Sequence, residues 1–263
     1  MKYPTQIVGA VLVASAATTS LAFGQEAEAA GWKTSAGLNF ALTSGNSDTL
    51  LIGANFNATK KWEQNELIGA ADIAYGEATT RQVVGGVLVD NDNTTVNNFG
   101  AALQYNRLIS ERAYLSGRVD GRRDEIADID YRFSGTVGAG YYFVKQKDIT
   151  LSAEVGPGYV VEKLGANKND YLTIRVGEKF TWAINERARL FQDLEFMPEA
   201  SDFGNYIIQG QIGVEADLVK DLALRVTLQD TYRSRPAAIA GTIPLVFREE
   251  NDLRLLAGIN YKF

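Results

Sequence analysis

The chain contains no cysteine and no histidine. Without cysteine there is no disulfide framework and no thiolate metal site. Without histidine the commonest general base and the commonest metal ligand are both missing. Proline is scarce, 5 in 263 residues, as long unbroken strands require. Beyond the N-terminal segment no apolar run approaches the ~20 residues of a spanning helix, so no transmembrane helix is expected. The net charge of −6 argues against nucleic acid as a partner.

What is present begins with an N-terminal targeting pattern. Lys2 precedes an apolar, small-residue stretch from Ile7 to Ala17. That stretch has the length of a secretory h-region and is too short to span a bilayer. Ala22-Phe23-Gly24 places small residues before a cleavage at Gln25, and Ala27-Glu28-Ala29 does so before Ala30. The expected organisation is a signal peptide over 1–24 (alternatively ending after Ala29), a short segment over 25–30, and one domain over 31–263.

That domain alternates with period two, the mark of strands with one apolar and one polar face. Trp32, Thr34, Ala36, Leu38, Phe40 and Leu42 share one face of the first stretch, and Leu253, Leu255, Ala257, Ile259, Tyr261 and Phe263 that of the last. Ten further stretches between them follow the same rule, twelve in all. Many reach the ~9–11 residues of a membrane barrel strand. Tight polar connections such as Glu63–Asn65 and Asn185–Glu186 alternate with longer ones at Glu77–Thr95, Arg123–Asp130, Glu162–Asp170, Met197–Asp202 and Tyr232–Glu249. Short periplasmic turns and longer external loops are the rule for outer-membrane barrels. Trp32, Trp62 and Trp182 fall at the periplasmic strand ends, as one aromatic girdle. The expected fold is all-β: a single-domain transmembrane antiparallel β-barrel of about twelve strands in the outer membrane, with lipid as its surroundings.

The last strand, ending on Tyr261-Lys262-Phe263, resembles the closing strand of bacterial outer-membrane barrels. That resemblance implies that Tyr261 and Phe263 are read by the barrel-assembly machinery. Gly31-Trp32-Lys33-Thr34-Ser35-Ala36-Gly37-Leu38, followed by Leu42-Thr43-Ser44-Gly45-Asn46-Ser47-Asp48-Thr49, is similar to the Gram-negative family described as salt-stress-induced outer-membrane proteins, a domain of unknown function. The Trp62-Glu63-Gln64-Asn65-Glu66 turn and the Tyr75-Gly76-Glu77 exit fit it too. The resemblance spans roughly Gly31 to Phe263. It implies a single barrel domain and brings no catalytic residues.

The opposite, polar face is where function is expected. Arg118, Arg122, Arg175, Lys179, Arg189, Arg225 and Arg254 face Asp72, Asp120, Glu154, Asp193, Glu195, Glu215, Asp217 and Asp230 around the lumen. Seven bases against eight acids predict weak ion selectivity. The charges either line a wet, narrow passage for small hydrophilic solutes or pair across the lumen and seal it. The first reading is a passive pore. The second is a structural or stress-related envelope barrel with functional external loops. An enzyme is not expected, because the outer-membrane barrel enzymes generally lean on histidine. The carboxylate pairs Asp193/Glu195 and Glu215/Asp217 are read as wall rather than as glycosidase acids. No cofactor or metal is expected. Asp90-Asn91-Asp92-Asn93 has calcium-type residues but no closing acid, and reads as a solvated loop. Val83–Val89 beside it is expected to fold over the mouth or to extend a hairpin.

Two polar residues break the apolar face. Glu178 and Gln192 belong to the outward parity, facing each other across one hairpin. Either they hydrogen-bond at a subunit contact, or a bulge or an interfacial position relieves Glu178.

Overall fold

The computed structural model describes residues 31–43, 47–84, 87–239, 242 and 246–263. The signal-peptide and cleavage expectations lie outside the described residues. Twelve strands are present among those described: β1 (Trp32–Thr43), β2 (Ser47–Trp62), β3 (Asn65–Val84), β4 (Val87–Leu108), β5 (Ala113–Asp124), β6 (Ile129–Lys145), β7 (Ile149–Leu164), β8 (Asn167–Ala183), β9 (Ala188–Pro198), β10 (Tyr206–Val219), β11 (Leu222–Arg233) and β12 (Asn251–Lys262). Each pairs antiparallel with its sequence neighbours, and β1 pairs with β12 to close the barrel.

Closure follows from the solvent. Hydrocarbon offers no hydrogen-bond partners, so a membrane sheet cannot keep a free edge. Leu38 therefore lies opposite Ile259, and Ala36 opposite Tyr261. The seam is fastened at the terminus, where the Phe263 amide donates to the Thr34 carbonyl (3.0 Å) and the Thr34 hydroxyl donates to the Phe263 carbonyl (2.6 Å). Phe263 also stacks on Tyr261, with ring centroids 5.9 Å apart.

The surface is inside-out. Phe40, Ile73, Phe99, Phe133, Val137, Phe143, Leu172 and Leu255 are all half or more exposed. Apolar exposure on this scale marks contact with lipid or another apolar phase. The buried set is polar instead, and includes Glu66, Asp124, Arg132, Glu154, Arg175, Glu195, Glu215 and Arg254. The period-two alternation sends one set to lipid and the other to the lumen.

Turn chemistry sets the hairpins. Trp62 and Asn65 pair around Glu63-Gln64, with Glu63 at φ 50°. Gly165 takes φ 58° in the two-residue turn between Leu164 and Asn167, where glycine meets the left-handed requirement at no steric cost. Two external loops expected from the sequence are strand instead. The 162–170 stretch is the tight end of the β7–β8 hairpin. The 77–95 stretch continues β3 and β4 as a ribbon, after a bulge between Gly76 and Glu77. Backbone pairing holds that ribbon in water, where no apolar face is needed to mark it in the sequence. Asp90–Asn93 lie in this ribbon opposite Arg81–Ala78. Strand alternation then puts Asn91 and Asn93 on the opposite face from Asp92, so these three residues do not share one face.

Candidate functional site: the charged lumen

Small residues make room for the interior side chains. A methyl group on Gly140 would lie 2.0 Å from the Tyr114 ring, and one on Gly213 would lie 2.4 Å from that of Phe191. Tyr114 and Phe191 thus lie flat over the inner wall and are buried. Tyr114 packs on Tyr142 at 5.4 Å, and the Arg225 guanidinium sits 4.1 Å from the Phe191 ring centroid.

The middle of the lumen is organised by Arg175. Its Nε lies 2.6 Å from Glu195 Oε2 on β9, and its Nη1 lies 2.5 Å from Glu154 Oε1 on β7. All three side chains are about nine-tenths buried or more. A planar guanidinium suits this double clamp, because its fork serves two carboxylates at once. Glu154 is held from a second side by Gln104 Nε2 of β4 at 3.2 Å. Because β5 and β6 stand between those strands, this bond is a chord across the lumen. Beside it Arg118 Nε (3.2 Å) and the Ser134 hydroxyl (2.8 Å) both donate to Asp120 Oδ1. Gln211 donates to Asp193 (2.8 Å), and Lys179 stands opposite Asp193 in register.

The bridges do not fill the space. A cavity of about 70 Å³ remains, lined among others by Asp72, Arg118, Arg132, Glu154, Arg175 and Asp193. Asp193 Oδ1, Gln229 Oε1 and Gln104 Oε1 are buried without a protein partner. Such atoms are placed to bind water.

Above this level Glu162 of β7 lies between two arginines, Arg132 of β6 at 3.8 Å and Arg233 of β11 at 3.4 Å. The second is another chord, since β8, β9 and β10 lie between. Described residues of the β11–β12 connection reach this end. Ala238 pairs with Phe247, and Arg248 reaches Asp128 of the β5–β6 turn at 2.8 Å. Below, toward the periplasmic rim, Glu215 receives Arg189 (2.8 Å) and Lys262 (3.0 Å), and Lys262 also meets Asp217. A second cavity of about 210 Å³ opens beside them. One inner wall is apolar: Leu51, Ala74, Val96 and Leu256 cluster there. Arg254 lies near it, 2 % exposed, with Asp252 at 3.9 Å. Arg122 stands 4.0 Å from Asp124.

Of the lumen residues expected from the sequence, Arg118, Asp120, Arg122, Glu154, Arg175, Lys179, Arg189, Asp193, Glu195, Glu215, Arg225 and Arg254 occupy the inward parity. Asp230 does not. It shares parity with Leu224, Val226 and Leu228, lies opposite Gly210 and Leu253, and is exposed. The inward neighbour is Gln229, which is buried. Arg132, Glu162 and Arg233 lie beyond the reach of the sequence reading, because the apolar faces that mark β6, β7 and β11 stop short of them. Carrying the alternation past those faces finds all three. Trp32, Trp62 and Trp182 lie at one rim, where Lys60 covers the Trp32 ring at 5.6 Å and Trp62 packs on Tyr105 at 6.3 Å.

The glutamate–glutamine pair needs one correction. Glu178 lies directly opposite Leu194, and Gln192 opposite Phe180, so the two polar residues are diagonal neighbours. Gln192 Nε2 donates to Glu178 Oε2 at 3.1 Å.

Several solved structures align with most of this chain at low identity. The NanC porin aligns with a TM-score of 0.51 at 9% identity, over 89% of this chain and 100% of that one. The KdgM porin aligns at 0.46 and 10% identity, over 88% and 99%. The translocator domain of the autotransporter NalP from Neisseria meningitidis aligns at 0.44 and 14% identity, over 90% of each chain. Among curated proteins none matches. The closed twelve-strand barrel with its apolar outer belt is an outer-membrane protein. A family model matches residues 34–263, and the chain accordingly belongs to the family described as protein of unknown function, DUF481.

Proposed function

We propose that the barrel is a narrow, weakly selective passage for small hydrophilic solutes or ions, and not an enzyme. The observation that carries this reading is the central cavity. It is walled by ionic groups yet retains space, and Asp193 in its wall keeps a buried carboxylate oxygen without a protein partner. Its inward charges balance: Arg118, Arg122, Arg132, Arg175 and Lys179 against Asp72, Asp120, Glu154, Asp193 and Glu195. Balanced walls favour neither sign of ion strongly. Twelve strands enclose less room than the sixteen to eighteen of the wide porins, which restricts passage to small species.

The chords favour a second reading. Gln104–Glu154 and Arg233–Glu162 each tie strands that are not neighbours, as a sealed structural barrel with functional external loops would. The salt-stress association implied by the resemblance belongs with this reading, and abundance of the protein against medium salt is its measure. In either case Tyr261 and Phe263 serve as the segment that the assembly machinery reads.

Planar-bilayer recording of the folded barrel separates the two. The pore reading expects small discrete openings and a reversal potential near zero in a salt gradient. Folded protein that stays silent supports the sealed barrel and rejects the pore.

A further inference from the structure

On the outward face of β8 and β9 two polar residues form a pair that a monomer leaves half-satisfied. Glu178 lies five residues from the periplasmic end of β8, and Gln192 four from that of β9. Both are therefore deep in the belt, at nearly one level. Their immediate surroundings are apolar or small: Ala153 opposite Glu178, Phe180 opposite Gln192, then Leu194, Gly210 and Ile212, with the exposed Asp230 of β11 next beyond Gly210. The β8 pairings run without a register shift on either side. No bulge turns Glu178 inward, and its depth rules out relief at the interface.

A single bond joins the pair, from Gln192 Nε2 to Glu178 Oε2. The carboxamide keeps a second N–H and its carbonyl, and the carboxyl keeps a second oxygen. Both residues are partly exposed on the outward face, where lipid tails offer no partner. The remaining groups are complementary to each other, donor to acceptor. That is the requirement for an isologous contact, in which residue i meets j and j meets i about a two-fold axis.

We propose that this face joins two copies of the chain in the membrane, with Gln192 of each protomer donating to Glu178 of the other. An axis along the membrane normal preserves depth, so two groups at one level meet their counterparts. Leu194 lies beside that axis, and Ala153 and Gly210 leave the flanks low enough for the walls to approach. The contact is independent of whether the lumen conducts.

The cysteine-free chain makes a direct test available. A Leu194→Cys variant, reconstituted in phospholipid vesicles and oxidised, is expected to give a covalent dimer. Ile73→Cys, exposed on the far wall, is expected to give none. Mass measurement in mild detergent is expected to show twice the protomer mass. Glu178→Leu with Gln192→Leu is expected to halve it while the heat-modifiable gel shift of a folded barrel persists. That double variant removes polar groups from the lipid face, so folding is not threatened. A wild-type monomer, a double variant that remains dimeric, equal cross-linking at both cysteines, or a co-purifying partner of different mass at this face would each overturn the proposal.

Discussion

At the scale of single residues the decisive side chain is Arg175. It neutralises two carboxylates on two flanking strands, with all three groups withdrawn from bulk water. Such a triad adds little stability by itself, because desolvation offsets much of the attraction. Removing its centre is another matter, since two buried carboxylates are then left uncompensated. Arg175→Ala is expected to destabilise the barrel by ~3–5 kcal/mol, read as a lowered urea midpoint in lipid vesicles. Glu154→Gln and Glu195→Gln, both added to Arg175→Ala, should recover most of that loss. Asp230 is instructive at the same scale. Its charge suggested the lumen, but parity places it outside, and backbone pleat outranks side-chain character wherever a strand is regular.

At the scale of elements the external connections differ in how they are held. The β9–β10 connection over 199–205 is short and braced by its own side chains. Glu199 accepts from the Ser201 hydroxyl and from Asn205, and Asp202 pairs with Arg235 at 2.6 Å. These hydrogen bonds, from Ser201 first and then Asn205, hold the Glu199 carboxyl below its ordinary 4.5. Arg235 and the Gly204 amide hold Asp202 below 3.8. A depressed carboxylate contributes stability in full above its unfolded value and loses it as pH falls through the folded one. The loop should therefore stay ordered through neutral pH and loosen only below pH 4.5. Carbon-detected titration of the two carboxyls should give midpoints under 4.5 and 3.8. Arg235→Gln should move the Asp202 midpoint up and leave Glu199 nearly in place.

At the scale of the whole molecule the barrel depends on closing one seam between chain ends. That seam engages fewer residue pairs than the others: β1 and β12 are in register only from Ser35–Lys262 to Asn39–Gly258, whereas β1 and β2 pair from Trp32–Lys60 to Thr43–Thr49. Phe263 extends it by two main-chain bonds to Thr34 and by its stack on Tyr261. Deleting Phe263 should lower the yield of heat-modifiable barrel during refolding, with far smaller loss when Phe263→Tyr is tested instead. Equal yields from deletion and wild type would show that the seam closes without it.

Strand count, closure and the lipid-facing set were legible in the chain, because period-two alternation is a local property that each strand carries by itself. The same parity puts Glu154, Arg175 and Glu195 on the inner face and Asp230 on the outer one. The water-exposed ribbon of β3 and β4 was not legible, since a solvated hairpin needs no apolar face and leaves no pattern. Nor was the identity of the partners. Glu154 with Gln104, Glu162 with Arg233 and Asp128 with Arg248 are joined across 50, 71 and 120 positions. Such pairings depend on barrel circumference, strand tilt and stagger together. The amino-acid order, through its period-two alternation, determined which face of the wall the strands' apolar sets take. Only the closed tertiary structure decided which side chains meet, because a distance across the lumen exists once the sheet has curved shut and not before.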